Sequence, residues 1–286
     1  LAASVALVAI SISAGTQWRA SIDTWSQDPE QVAHVNARND APAIYAHGCD
    51  DWFHSSHLHA CYFGNETAPR IVVLLGDSVA AQWFSAVQAH FSGEDWRVLV
   101  LTKSACPMVD VPFFYARIGR RYTECETWRE RALAYVNDLK PDIVIMGSSP
   151  SYPFSSRECS QRTFARVATS VEKVYLLQPP PLLTFDAPAC AARLAWRTRF
   201  MPQLPDPCTT SWSGGTVEKT RGALEAAALG TGVHSIDLTA AVCPDGVCSA
   251  QVGGIVTYRD SQHLSDSFVR SLQAEFDKAL SDTNKP

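Results

Sequence analysis

The fold is decided by the stretch Ile71-Val72-Val73-Leu74-Leu75-Gly76-Asp77-Ser78, in which an unbroken apolar run ends at a glycine and two polar residues. A short apolar run rich in valine and leucine is typical of a strand that is buried on both faces of a parallel sheet. The residues that follow predict a helix with one apolar face, because Val79, Trp83, Val87 and Phe91 recur at four-residue spacing. Ser78 is therefore expected at the junction between a strand and a helix.

Four similar runs follow, each separated from the next by a segment long enough to hold a helix. They are Val98–Leu101, Ile143–Met146, Val174–Leu177 and Val233–Leu238. Alternating strands and helices predict an α/β fold with a doubly wound, mostly parallel sheet of five strands, because right-handed crossovers place helices on both faces. Ligands of such sheets bind at the carboxyl ends of the strands.

Composition restricts the class of protein. The chain has 286 residues, 46% of them hydrophobic, which suits one principal domain with additions. The formal net charge of -5 leaves no basic surface of the kind that a nucleic acid requires, so no nucleic-acid partner is expected. Nine cysteines without paired CxxC motifs indicate disulfides in an oxidising compartment.

Three cysteine pairings are favoured by their positions: Cys49–Cys61, Cys106–Cys125 and Cys243–Cys248. Among Cys159, Cys190 and Cys208, one has no partner within the chain. A Cys190–Cys208 bridge would join two parts of the proline-rich segment that contains both cysteines. That segment, from Gln178 to Cys208, is rich in proline and predicts an insertion or long loop, either a substrate-binding flap or a packed surface loop.

The first 20 residues are expected to be the end of a transmembrane helix. Leu1 to Ala14 is apolar, and Trp18 and Arg19 follow as an interfacial anchor would. Fourteen helical residues span about 21 Å, less than the roughly 30 Å of a bilayer core, so part of the membrane helix is missing. A signal-peptide core and a helix of the soluble core are the alternatives. Residues 21–70 then form a linker with a Cys-closed loop, and residues 71–286 form the main domain.

A serine at the strand–helix junction can act as a nucleophile. Its hydroxyl lies at the carboxyl edge of the sheet, beside helix N–H groups that can stabilise an oxyanion. The alternative is that Asp77 or Ser78 is only a helix N-cap. Near the C-terminus, Asp260 and His263 are three residues apart in a polar turn, where the carboxylate can orient the imidazole as a general base for Ser78. Without the serine motif, Asp260 and His263 would be interpreted as an ordinary pair on the protein surface.

Three motifs together resemble the SGNH hydrolase superfamily, and more narrowly the SGNH domain fused to acyltransferase-3 membrane proteins. They are Leu75-Gly76-Asp77-Ser78, Thr102-Lys103-Ser104-Ala105-Cys106-Pro107 and Asp260-Ser261-Gln262-His263-Leu264-Ser265. The resemblance implies a Ser78–His263–Asp260 triad that transfers an acyl group to a cell-envelope glycan outside the cytoplasm. It also implies that an upstream membrane domain supplies the acyl group, and that the apolar N-terminus ends the last membrane helix.

Two departures from the family pattern affect the expected oxyanion hole. Val79 stands where the family usually has histidine, and the turn Gly147-Ser148-Ser149 lacks the usual asparagine. The N–H groups of Val79 and Ser104 and a hydroxyl of Ser148 or Ser149 are the expected replacements.

No cofactor or metal is expected. His54, His57 and His59 could bind zinc or copper, but a solvated, disulfide-closed loop is the favoured interpretation because no second ligand cluster is visible. Two other functions remain open: an esterase of the same fold, and a glycan-binding module without catalysis.

Overall fold

The computed structural model describes residues 2–152, 157–201, 203–212 and 215–283. The strands of the central sheet are β1 (Cys61–Gly64), β2 (Arg70–Gly76), β3 (Trp96–Thr102), β4 (Ile143–Gly147), β5 (Lys173–Leu177) and β6 (Val233–Ile236). Short antiparallel pairs join Phe114–Tyr115 to Arg120–Arg121, Thr209–Ser211 to Val247–Ser249, and Gln251–Val252 to Ile255–Val256.

The helices begin with α1 (Ala2–Ser26), α2 (Pro29–Asn36), α3 (Ser78–Ala81), α4 (Phe84–His90), α5 (Thr123–Leu139) and α6 (Arg157–Ala168). They continue with α7 (Ala187–Phe200), α8 (Gly215–Ala228), α9 (Thr239–Val242), α10 (Asp266–Ser271) and α11 (Gln273–Asp282).

The sheet has the strand order β1-β3-β2-β4-β5-β6. Strands β2 to β6 are parallel, which confirms the predicted α/β fold with its five parallel strands. A sixth strand was not predicted: β1 pairs antiparallel with β3 at the edge, with Cys61 opposite Val100. The segment expected to be a linker therefore contributes to the sheet.

Two apolar cores lie on opposite faces of the sheet. Alternate side chains of β2 point to each side, so Val72 and Leu74 belong to one core, and Val73 and Leu75 to the other. Helices α4, α10 and α11 cover the first face, and α5, α6 and α8 cover the second. The helix predicted after Ser78 is interrupted, because α3 ends before Gln82 and α4 begins after Trp83.

The N-terminal segment contains two helices, α1 and α2. Helix α1 continues beyond residue 20, and its described side chains are exposed. Across the described ranges, no helix has the length and apolar character needed to cross a membrane. After α2 the chain returns to the main domain, where the carbonyl oxygen of Asp40 accepts a hydrogen bond from the amide of Asp266 at 2.9 Å.

The proline-rich insertion is not a plain loop, because α7 forms within it. Pro179–Pro181 come before this helix and Pro202 follows it in the sequence, while Pro188 lies in its first turn, where proline is tolerated. Four disulfides confirm the pairings favoured from sequence: Cys49–Cys61, Cys106–Cys125, Cys190–Cys208 and Cys243–Cys248. Cys159 is not part of any of them.

Candidate active site

The turn between β2 and α3 requires glycine at position 76. Gly76 has a φ of +155°, and a Cβ there would overlap the carbonyl oxygen of Gly147 and come within 2.6 Å of the Ala80 Cβ. The close contact brings the ends of β2 and β4 together beneath the first turn of α3. Ser78, the first residue of that helix, is thereby held at the carboxyl edge of the sheet.

Asp77 caps α3 and also fixes the neighbouring turn. Its Oδ1 accepts the amide of Val79 at 2.8 Å, and its Oδ2 accepts the amide of Ser149 at 2.7 Å. The side chain is fully buried, and burial raises the pKa of its carboxyl group against the opposing effect of these hydrogen bonds and that of Tyr152. The N-cap interpretation is thus correct for Asp77, which in addition ties the turns after β2 and β4 to each other.

Ser78, His263 and Asp260 form a continuous chain of hydrogen bonds. Ser78 Oγ lies 2.8 Å from His263 Nε2, and His263 Nδ1 lies 2.6 Å from Asp260 Oδ2. The other carboxylate oxygen of Asp260 accepts the amides of Gln262 and His263, each at 2.7 Å. With Nδ1 donating to Asp260, Nε2 is left to accept the proton of the Ser78 hydroxyl.

The charge state of Asp260 suits this arrangement. Burial by itself would raise the pKa of its carboxyl group, but the hydrogen bond and charge of His263 and the two backbone amides outweigh it and lower the pKa to about 2. The carboxylate is therefore ionised at any pH at which the protein would work. The side chain of His263 is only 12% exposed, so the pair is shielded on the imidazole side.

Contacts from two other parts of the chain hold the Asp260–His263 turn. Gln82, at the break between α3 and α4, accepts the amide of Leu264 through Oε1 at 2.8 Å. The carbonyl oxygen of Ser261 accepts the amide of Leu183, at the start of the insertion, also at 2.8 Å. The helix break and the insertion thus both position the imidazole.

Carboxylates bind most of the donors that were expected to form the oxyanion hole, although the hydroxyl of Ser149 is not among them and accepts the amide of Ser151 at 3.2 Å. The amide of Val79 and the amide of Ser149 donate to Asp77. Ser148 Oγ lies 3.4 Å from the same carboxylate and accepts the amide of Met108 at 3.3 Å. The amide of Ser78 is the N–H group in the first turn of α3 that Asp77 does not bind, and the sequence pointed to it only collectively, as one of the free N–H groups at a helix start.

Ser104 is the remaining expected donor, and Asp50 binds it. The amide and hydroxyl of Ser104 both donate to Asp50 Oδ2, at 2.8 and 2.7 Å. Asp50 begins the loop closed by the Cys49–Cys61 bridge. Buried Lys103 fastens this loop to β3 through the carbonyl oxygens of Trp52 and Ser55.

An open pocket of about 660 Å³ surrounds the triad. Besides the predicted residues Ser78, Ser104, Asp260 and His263, its lining includes Trp52, one of the aromatic residues that could stack on a sugar ring. It also includes residues that the sequence did not indicate: Arg38, Asn39, Tyr45, Asp50, Tyr115, Arg117 and Arg259. Arg38 to Tyr45 come from the segment that the sequence predicted to be a connector. Only Arg259 had a local signal, because it directly precedes Asp260.

The histidine-rich loop does not assemble a metal site. His59 Nε2 pairs with Asp51 Oδ2 at 2.9 Å, and the rings of His57 and His59 meet edge to face. Within the part of the chain that the structure describes, no group of three or more His, Cys, Asp or Glu residues is arranged to hold a metal ion.

Residues 46–278 match the sequence profile described as the SGNH domain fused to AT3 domains. The chain belongs to this family. The match includes both ends of the hydrogen-bonded triad and confirms the resemblance found in the motifs. No curated protein sequence matches the chain.

A solved structure shares the fold of this SGNH domain. The periplasmic domain of the lipopolysaccharide acetyltransferase from Salmonella ser. Paratyphi A superposes with a TM-score of 0.61 at 14% identity, covering 76% of this chain and 85% of that one. LAE5, an α/β hydrolase enzyme from the metagenome of Lake Arreo, Spain, gives a TM-score of 0.39 at 15% identity, covering 76% and 98%. At these identities the first comparison establishes the fold.

Proposed function

We propose that this SGNH domain transfers an acyl group, most simply acetyl, to a hydroxyl group of a cell-envelope glycan through an acyl-serine intermediate. The observation that carries the proposal is the chain of hydrogen bonds from Ser78 Oγ through His263 to Asp260, at 2.8 and 2.6 Å, in an open pocket. Nucleophile, base and orienting carboxylate in this order are what acyl transfer through serine requires.

In the first half-reaction, Ser78 Oγ attacks the carbonyl carbon of the donor while His263 Nε2 takes the hydroxyl proton. The tetrahedral intermediate collapses, the leaving group takes the proton back from His263, and the acyl group remains as an ester on Ser78. In the second half-reaction, a sugar hydroxyl loses its proton to His263 and attacks that ester. The Ser78 oxygen then regains the proton, and Asp260 stays ionised throughout.

The negative charge of each tetrahedral intermediate needs hydrogen-bond donors near Ser78. The amide of Ser78 at the start of α3 is one, and the amide of Ser104 is the second once Asp50 has released it. Losing a single donor of this kind costs other enzymes about 3 kcal/mol of transition-state stabilisation. The state of the Asp50–Ser104 contact therefore bears directly on the rate.

The family supports a proposal for the source of the acyl group and for the compartment. The family description names fusion to AT3 domains, which supports an upstream membrane acyltransferase domain as the donor. The neighbour from Salmonella is the periplasmic domain of a lipopolysaccharide acetyltransferase, which supports an acetyl group and a glycan acceptor. Four disulfides support a location outside the cytoplasm, with the N-terminal helix leading towards the membrane.

The test measures whether the protein transfers an acetyl group to a sugar or to water. The purified chain is incubated with p-nitrophenyl acetate and short oligosaccharides, and acetylated sugar and free acetate are measured by mass spectrometry. Acetylated sugar should form with wild-type protein and with the matched control Ser92→Ala, an exposed serine far along the chain from the turn, but not with Ser78→Ala. Acetate alone would indicate an esterase. Glycan binding without either product would indicate a non-catalytic module.

A further inference from the structure

The pocket around Ser78 contains two arginines without an ionic partner. Arg38, Arg117 and Arg259 all line it. Arg38 pairs with Asp186 at 2.7 Å, but Arg117 and Arg259 form no ion pair with any residue that the structure describes. Two guanidinium groups without an ion-pair partner in the described chain therefore lie in the same pocket as the proposed nucleophile.

Arg259 is fixed to the triad itself. Its amide donates to the carbonyl oxygen of His263 at 2.8 Å, and Asp260 is the next residue. The guanidinium carbon lies 5.5 Å from the ring centroid of Tyr45, and Nε is buried without a hydrogen-bond partner in the described chain. The side chain thus has a defined position, and no hydrogen bond within the described chain occupies its guanidinium group.

Arg117 is held by an aromatic ring rather than by a carboxylate. Its guanidinium carbon lies 4.3 Å from the centre of the Trp52 ring, within the range of a cation–π contact. Stacking orders the guanidinium plane while leaving its N–H groups available for hydrogen bonds in that plane.

The carboxylates that line the same pocket form no ion pair with Arg117 or Arg259 within the described chain. Asp50 accepts hydrogen bonds from Ser104 and from the amide of Trp52, and Asp260 accepts from His263 and two amides. Both carboxylates are therefore committed to other donors. An anionic ligand would meet arginines whose forked N–H groups match carboxylate and phosphate oxygens.

We infer that the pocket binds an acidic glycan, with a carboxylate or phosphate group of the sugar held by Arg259 and Arg117 while a nearby hydroxyl faces Ser78. This inference rests on the proposed function only in taking the acceptor to be a glycan. It narrows the acceptor from any envelope glycan to one that carries uronic acid or phosphate groups.

Binding to Ser78→Ala protein tests the inference without turnover. Calorimetry compares tetragalacturonate, its carboxyl-reduced neutral counterpart, and maltotetraose bearing one phosphate monoester. At least one acidic sugar should bind about tenfold or more tightly than the neutral ones, because hydrogen bonds between charged groups are stronger than those between neutral groups. The two acidic ligands distinguish a carboxylate site from a phosphate site.

Three arginine variants in the same background locate the site. Arg259→Gln and the exposed Arg117→Gln should each remove most of the preference, and Arg259→Lys should retain part of it. Arg270→Gln is the matched control, because Arg270 pairs with Asp266 on α10 and is not among the pocket residues. Equal binding of acidic and neutral sugars, or an unchanged preference in both Gln variants, overturns the inference. If this preference is found but the wild-type protein transfers no acyl group, the proposed function alone is refuted.

Discussion

Asp50 holds both hydrogen-bond donors of Ser104 with one carboxylate oxygen, Oδ2, at 2.8 Å from the amide and 2.7 Å from the hydroxyl. A carboxylate at this position repels a developing oxyanion and occupies a donor that would stabilise it. The disulfide-closed loop that carries Asp50 therefore determines whether the Ser104 donors are available to the proposed site.

The first prediction is that Asp50→Asn raises kcat/KM for p-nitrophenyl acetate, by up to about tenfold, since a neutral amide neither repels the oxyanion nor binds the Ser104 amide as strongly. Steady-state hydrolysis measures it, with Asp51→Asn as the control on the same loop. A fall in rate for Asp50→Asn would mean that Asp50 supports the site by holding Ser104 in place.

Asp260→Asn should fold normally and lose activity by roughly a thousandfold or more, because the imidazole would no longer be held in the tautomer that accepts the Ser78 proton. Asp277→Asn is the matched control: Asp277 Oδ1 lies 2.7 Å from His90 Nδ1 in a similar Asp–His pair that has no place in the pocket. Equal activities of the two variants would remove Asp260 from the mechanism.

The low pKa of Asp260 predicts a pH-dependent contribution to stability. The folded value of about 2 is below the ordinary value of 3.8, so the contribution is complete above pH 3.8 and disappears as the pH falls through 2. Because the side chain is 36% exposed, we expect less than about 2 kcal/mol. Urea unfolding of wild type and Asp260→Asn at several pH values gives the difference. A gap that is constant between pH 5 and pH 2 would contradict it.

Gly76→Ala should destabilise the protein by at least about 2 kcal/mol, or prevent folding, because the new methyl group would overlap the backbone of Gly147 in a tightly packed turn. Gly93→Ala, where a Cβ meets nothing within 4 Å, serves as the control and should change the melting temperature little. Similar melting temperatures for both variants would show that the β2–α3 turn can relax.

Sequence predicted the central strands well because each is a short, continuous apolar run, as in Ile71–Leu75. It missed β1 because Cys61–Gly64 is too short to show a pattern, and its exposed and half-buried residues alternate only once the strand lies at the sheet edge. It missed α7 because the flanking prolines dominated the interpretation of the whole segment, although proline excludes helix only locally.

The hydrogen-bonded arrangement of Ser78, His263 and Asp260 could be predicted, because a strand end and a short motif supply these residues. The rest of the pocket could not, because Arg38, Tyr45 and Arg117 reach it through tertiary packing of segments without a signal of their own. The sequence also could not predict that Asp50 binds the amide of Ser104, because the two residues are 54 positions apart and no local pattern connects them.

The most direct measurement is intact-mass and peptide-mapping spectrometry of the protein, rapidly quenched during turnover of p-nitrophenyl acetate. We predict one added acetyl group on the peptide that contains Gly76-Asp77-Ser78, absent in Ser78→Ala and accumulating in wild type when no sugar acceptor is present. Turnover of the ester with no acyl group on that peptide, or the same turnover by Ser78→Ala, would contradict the assignment of Ser78 as the nucleophile.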